Sequence, residues 1–255
     1  MTNVQAGGTY LYAVLAGPEG LGQAGAIGIE GGEVYCVTVG DIAAAVSRVS
    51  RARLRPERKH LLTHQAVLRH LMERGTVLPA AFGLVARNDE DVRGRLLENH
   101  AVFKEQLEHV AGKVEMGLKV SWSAPDLFGY FVETHPELGA IRDRMKGRHD
   151  LHREELLAVG KLFEDIRETD RQAHSERVMA VLGEHGIELK WNPPRGDREV
   201  MNLSCLVPRE GLGAFEKVIE TAAVGFDDHF TFEFHGPWAP HSFTELKPTH
   251  GSTGE

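Results

Sequence analysis

The sequence predicts an α+β chain of two domains, an N-terminal mixed sheet with helices and a C-terminal modified ferredoxin-like domain with an enlarged helical insertion. Three observations predict it. The 255 residues exceed the usual single-core size of about 100 to 150. From residue 113 onward, strand and helix periods succeed one another as β-α-β-β-α-β. Charge shifts at the same place: residues 1–112 balance 12 basic against 12 acidic side chains, whereas 113–255 carry 17 against 25. The domains are therefore expected at 9–112 and 113–236, followed by an aromatic, proline-rich tail, 237–255, that packs back on the body and ends disordered.

In the first domain, Tyr10-Leu11-Tyr12-Ala13-Val14-Leu15-Ala16 has the aromatic and β-branched content of a buried strand, stopped by Gly17-Pro18. Ala26-Ile27-Gly28-Ile29 and Val34 to Val39 flank Gly31-Gly32, a hairpin signal. Asp41 to Val46 suits a short helix or another strand. Pro56 opens a helix with Leu61, Gln65, Leu68 and Met72 on one stripe, ending at Gly75. Phe82 to Ala86 reads as a strand. A second helix begins near Asp89, with Val92, Leu96, Phe103, Leu107 and Val110 on its apolar side.

Gly112-Lys113 marks the boundary, and Met116 to Trp122 opens the second domain as a strand. Helical segments come next, around 126–146 and 150–184, the longer with Val159, Leu162, Phe163, Ile166, Val178, Val181 and Leu182 at helical spacing. Ile187 to Trp191 and Val200 to Val207 are strands joined by a proline-glycine turn. A helix over 211–224 and a strand, Phe230 to Phe234, complete the order.

A net charge of −8, concentrated in the second half, opposes sequence-independent binding to nucleic acid. The basic run Arg51, Arg53, Arg55, Arg58, Lys59 reads as a solvated helix entrance. Cys36 and Cys205 form neither a disulfide framework nor a CxxC pattern, which fits a reduced compartment. The start Met1 to Gly8 lacks a signal-peptide pattern, and no run reaches the ~18 apolar residues of a membrane span. A cytoplasmic protein without a membrane partner is expected.

Several stretches imitate chemistry. Gly20-Leu21-Gly22-Gln23-Ala24-Gly25 matches GxGxxG after a strand, so the competing reading is a nucleotide-binding protein or enzyme using that loop. Ala26 to Val39, the segment after it, reads as hairpin, whereas a dinucleotide site needs a helix whose N-terminal amides meet the pyrophosphate. His60 and His64 sit one turn apart, but HExxH's glutamate is missing, so a solvated helix face is expected; His149 and His152 read likewise. Glu154-Glu155 and Glu164-Asp165 fall on a polar helix face, and Arg195-Gly196-Asp197 reads as a turn. No catalytic, cofactor-binding or metal site is assigned. A non-enzymatic binding protein is expected.

Two stretches exceed what a generic fold requires. Thr76-Val77-Leu78-Pro79-Ala80-Ala81-Phe82-Gly83 is an apolar proline connection that should be buried. Phe234-His235-Gly236-Pro237-Trp238-Ala239-Pro240-His241-Ser242-Phe243 leaves the last strand as a stiff aromatic tail, in which burying Trp238 would contribute roughly 2 to 3 kcal/mol. Trp238, Pro240, Phe243, Pro79 and Phe82 are the candidate partner-binding residues.

These stretches, with Tyr10 to Val14 and Gly40 to Val46, resemble the GvpF/GvpL family of gas vesicle proteins, from Tyr10 to Phe243. The most specific pieces are Val77-Leu78-Pro79 with Phe82-Gly83, and Gly236-Pro237-Trp238 with Pro240. The chain departs from the pattern at Ala81, where a basic residue is typical, and at Ala239 and His241, near which a second proline and a tyrosine are usual. The resemblance implies an α+β N-terminal domain, a modified ferredoxin-like C-terminal domain, and an accessory role in gas vesicle assembly with no catalytic residues. It also implies, as partners, the major shell protein and other vesicle accessory proteins, with protection of the shell protein from aggregation during nucleation and retention as a minor vesicle component.

Overall fold

The computed structural model describes residues 7–22, 28–148, 150 and 152–246. The chain divides into two compact units, one holding the described residues up to Glu115 and from Pro237 onward, the other spanning Met116–Gly236.

The first unit is built on β1 (Gly8–Leu15), β2 (Val34–Val39), β3 (Ile42–Val49), β4 (Val77–Pro79) and β5 (Val85–Ala86). The sheet runs β2-β3-β1-β4, with β5 also pairing β1. β1 is therefore central, and Tyr10, Tyr12, Ala13, Val14 and Leu15 are all buried. Its pairings with β3, β4 and β5, and that of β2 with β3, are antiparallel, a sharper result than the mixed sheet expected and one that short connections favour. The segment Asp41 to Val46 resolves as the start of β3. The hairpin lies between β2 and β3, with Val39 opposite Ile42 across Gly40-Asp41 and Gly40 at φ 58. Gly31-Gly32, expected as its turn, instead belongs to a 3-10 turn over Ile29–Gly31; Ala26 and Ile27 lie outside the described residues.

Three helices belong to this unit: α1 (Arg58–Met72), α2 (Asp89–Glu98) and α3 (His100–His109). The buried stripe of α1 is His64, Val67, Leu68, Leu71 and Met72, rotated from the one expected, and Leu61 is exposed. The single helix expected from Asp89 is two, interrupted at Asn99. Asn88 caps α2 by accepting the Asp91 amide, and Asp89, Glu90 and Asp91 favour its positive end.

The second unit contains most of β6 (Lys113–Trp122), then α4 (Leu127–Thr134), α5 (Pro136–Met145), α6 (Arg153–Glu184), β7 (Glu188–Asn192), β8 (Glu199–Pro208), α7 (Leu212–Ala223) and most of β9 (Phe230–Trp238). Its sheet order, β7-β8-β6-β9, is the ferredoxin-like one with α4 to α6 filling the first crossover. Period-two alternation along β6 puts Met116, Leu118, Val120 and Trp122 into a core with Phe131, Val178, Leu182, Phe215 and Ile219. The α+β class therefore holds, with two antiparallel sheets.

Candidate partner-binding surface

The apolar connection after α1 is itself a strand. Pro79 lies opposite Ala13 and is buried with Val77, Leu78 and Ala80, and the Ala80 amide donates to the Tyr12 carbonyl at 2.8 Å. The expected burial is thus observed over Val77, Leu78, Pro79 and Ala80, whereas Ala81 is exposed and Phe82 and Gly83 are half-buried. Pairing with β1 explains it, because a proline is tolerated on a short outer strand. Only Val85–Ala86 of the strand expected after it forms; Phe82 and Gly83 make the turn between β4 and β5.

Phe82 is half-buried against an aromatic cluster, its ring 6.1 Å from Tyr10 and 5.9 Å from His64. Tyr12 stacks on His64, with ring centroids 5.8 Å apart. The Tyr10 hydroxyl accepts the Gly83 amide at 3.1 Å and shares a hydrogen bond of 2.9 Å with His64 Nδ1, its direction set by the imidazole tautomer. His64 Nε2 is buried without a hydrogen bond of good geometry, the Ala80 carbonyl being the polar group near the ring. Burial pushes the His64 pKa down to about 4, aided by the charge of His241 and opposed by the Ala80 carbonyl. Burial likewise pushes the Tyr10 and Tyr12 hydroxyls up, so the cluster is neutral.

The tail is open at its start and packed beyond it. β9 continues through Gly236, Pro237 and Trp238, and Trp238 is 46% exposed rather than buried. Beyond it the chain turns inward. Ala239, Pro240 and Phe243 are buried, and Thr244 Oγ1 donates back to the Pro240 carbonyl at 3.0 Å. The buried carboxylate of Glu115 accepts both the amide and the hydroxyl of Ser242, at 2.8 and 2.6 Å. Gln106 receives the Glu245 amide. The expected disorder concerns 247–255, which lie outside the described residues.

Of the five candidate residues, Pro79, Pro240 and Phe243 are packed inside the first unit, Phe82 shows one side, and Trp238 is the most open to a partner. Two residues that sequence reasoning missed hold this region together. His64 was expected on a solvated face; the apolar Val67, Leu68 and Leu71 at helical spacing from it were the available signal. Glu115 precedes the buried face of β6 and carried no signal.

The other stretches take plain structural roles. Gly20-Leu21-Gly22 closes a 3-10 turn over Pro18–Leu21, and residues 23–25 lie outside the described residues. The next described elements are the turn Ile29–Gly31 and β2, not the helix a pyrophosphate would need. His60 points its Nδ1 at the Arg55 carbonyl, and the described residues hold no group of three or more His, Cys, Asp or Glu able to bind a metal. Glu155 accepts the His152 amide and pairs with Arg148 at the entrance of α6; His149 lies outside the described residues. No described helix is long and apolar enough to cross a membrane.

The profile of the family described as "Gas vesicle synthesis protein GvpL/GvpF" matches residues 8–245. The chain belongs to the GvpL/GvpF family. It is 28% identical to gas vesicle protein F of Dolichospermum flosaquae, over 86% of this chain and 90% of that one. It is 29% identical to gas vesicle protein L of Streptomyces sp. (strain CB03234), over 93% and 92% of the two chains. The crystal structure of GvpF from Microcystis aeruginosa superposes with a TM-score of 0.76 at 26% identity, covering 94% of this chain and 99% of that one. The GvpF structure from Anabaena sp. PCC7120 has the same fold, with a TM-score of 0.81, 24% identity and the same coverage. These relatives are named as gas vesicle proteins rather than as enzymes, and the family ties this chain to gas vesicle assembly.

Proposed function

We propose that the chain is a non-enzymatic accessory factor that binds the major gas vesicle shell protein, keeps it from aggregating during nucleation, and passes from the cytoplasm into the vesicle as a minor component. Family membership across residues 8–245 carries this reading. Physical logic supports it: apolar subunits awaiting assembly expose surfaces prone to uncontrolled association, and a companion of net charge −8 would keep a complex dispersed. Trp238, held at the end of a strand yet 46% exposed, is the proposed anchor.

Co-purification with the shell protein, and light scattering of the shell protein with and without this chain, test the reading. Complex formation and suppressed scattering are expected; normal vesicle number and shape after gene deletion would overturn the assembly role. Trp238→Ala is expected to weaken shell-protein binding at least tenfold with a stability loss near 1 kcal/mol, whereas Phe243→Ala should cost about 3 kcal/mol through its cavity. Unchanged binding by a folded Trp238→Ala variant removes Trp238 from the interface.

A further inference from the structure

A ferredoxin-like crossover needs one helix on the sheet, and this chain uses three. The first residue that α6 buries is Ile166; before it only Leu162 and Phe163 pack, half-buried, against the core, so the turns from Arg153 to Lys161 lie outside it. α5 buries only Leu138. The consequence is an open groove of ≈ 720 Å³ within the second unit, with apolar walls from Phe128, Leu138, Ile141, Met145, Leu156 and Val159. Phe128 is 46% exposed and Leu156 53%, a contiguous apolar opening of the kind that soluble proteins seldom leave without a use.

Its charge runs against the rest of its half of the chain. Arg142, Asp143 and Lys146 line this groove, and Arg144, Arg148 and Glu155 line an adjoining pocket that shares Ile141, Met145 and Val159 with it. Arg142 is held by Asp143, and Arg148 by Asp150 and Glu155. Among the described residues, the side chains of Arg144 and Lys146 hold no ion pair or hydrogen bond. A cationic lip over an apolar floor suits an amphipathic helix whose apolar stripe is flanked by carboxylates. Residues 1–6, with Met1, Val4 and Ala6, and residues 247–255, with nothing apolar larger than Pro248, carry no such stripe. A concave groove also suits a helix better than a flat bilayer.

We propose that the α4-α5-α6 groove is a second docking site, which takes an acidic-flanked amphipathic helix of a partner protein. It goes beyond the shell-protein reading, and a designed peptide tests it whichever vesicle protein carries the helix. Two fluorescent 16-residue helices with leucine at helical i, i+3, i+4 and i+7 spacing, one flanked by glutamate and one by lysine, are titrated into the full chain. The glutamate peptide is expected to bind in the micromolar range, at least tenfold tighter than the lysine peptide, and to weaken as salt rises. Leu156→Glu should reduce its binding tenfold or more at unchanged melting temperature, and Arg144→Glu with Lys146→Glu should reverse the preference. Equal binding of both peptides, insensitivity to Leu156→Glu, or no binding overturns the proposal. So does Leu156-dependent self-association, which would make a second copy the occupant, or Leu156-dependent binding to anionic vesicles in place of the peptide.

Discussion

At position 64, a histidine occupies the place on α1 where leucine or valine would be unremarked, and it stays neutral because two tyrosines and a phenylalanine surround it. Its folded pKa, about 4, lies below the ordinary 6.5, so between these values the unfolded chain binds the extra proton. Stability from this site is therefore complete above pH 6.5 and falls as pH drops toward 4, by about 3 kcal/mol for a shift of this size. Urea unfolding of the wild type and of His64→Gln at several pH values checks it. The stability difference between the two should shrink across that window; a constant difference would mean that the imidazole is not held neutral. This residue was illegible in the sequence because histidine is amphipathic: the same letter serves a solvated face and an aromatic cage. Trp238 was legible only as brace or anchor, since a large apolar ring is ordinarily buried, and here it is 46% exposed at the end of its strand.

Elements were legible where a period was long. The alternation in β6, the even burial of β8 and the helical spacing through α6 all fixed type, and their bounds differ from expectation by a few residues. Short glycine pairs were not legible. Gly31-Gly32 and Gly40-Asp41 both look like hairpin turns, and only the pairing of β2 with β3 rather than with residues before it selects the second. Gly40 has φ 58, as a two-residue hairpin asks of its first central residue, and a Cβ there would come within 3.3 Å of His100 Nε2. Gly40→Ala is expected to cost about 1 to 2 kcal/mol. Gly75→Ala, at a glycine without positive φ and with nothing within 4 Å of an added Cβ, should stay within roughly 0.5 kcal/mol of wild type. Thermal melts of the two variants compare them directly, and equal melting temperatures would refute the turn assignment.

At the scale of the molecule, strand order in the second unit was legible from β-α-β-β-α-β, because a ferredoxin-like order needs only the sequence of elements. The composition of the first unit was not, since no local pattern says that residues after Pro237 return to a sheet begun at Gly8. That return rests on contacts between distant positions: Ser242 on Glu115, Glu245 on Gln106, and Phe243 and Ala239 in the interior. A chain ending at Gly236 would leave the Glu115 carboxylate buried without the amide and hydroxyl it accepts, and would open a cavity where Phe243 packs. The expected loss in the first unit is at least ~3 kcal/mol, on the scale of an emptied phenylalanine site. Hydrogen exchange should then show weaker protection in β1, α1 and α3, while β8, buried in the other unit's core, keeps its protection. Undiminished protection of β1 and α3 would mean that the C-terminal residues decorate the first unit rather than complete it. Weaker protection of β8 as well would mean that the two units unfold as one.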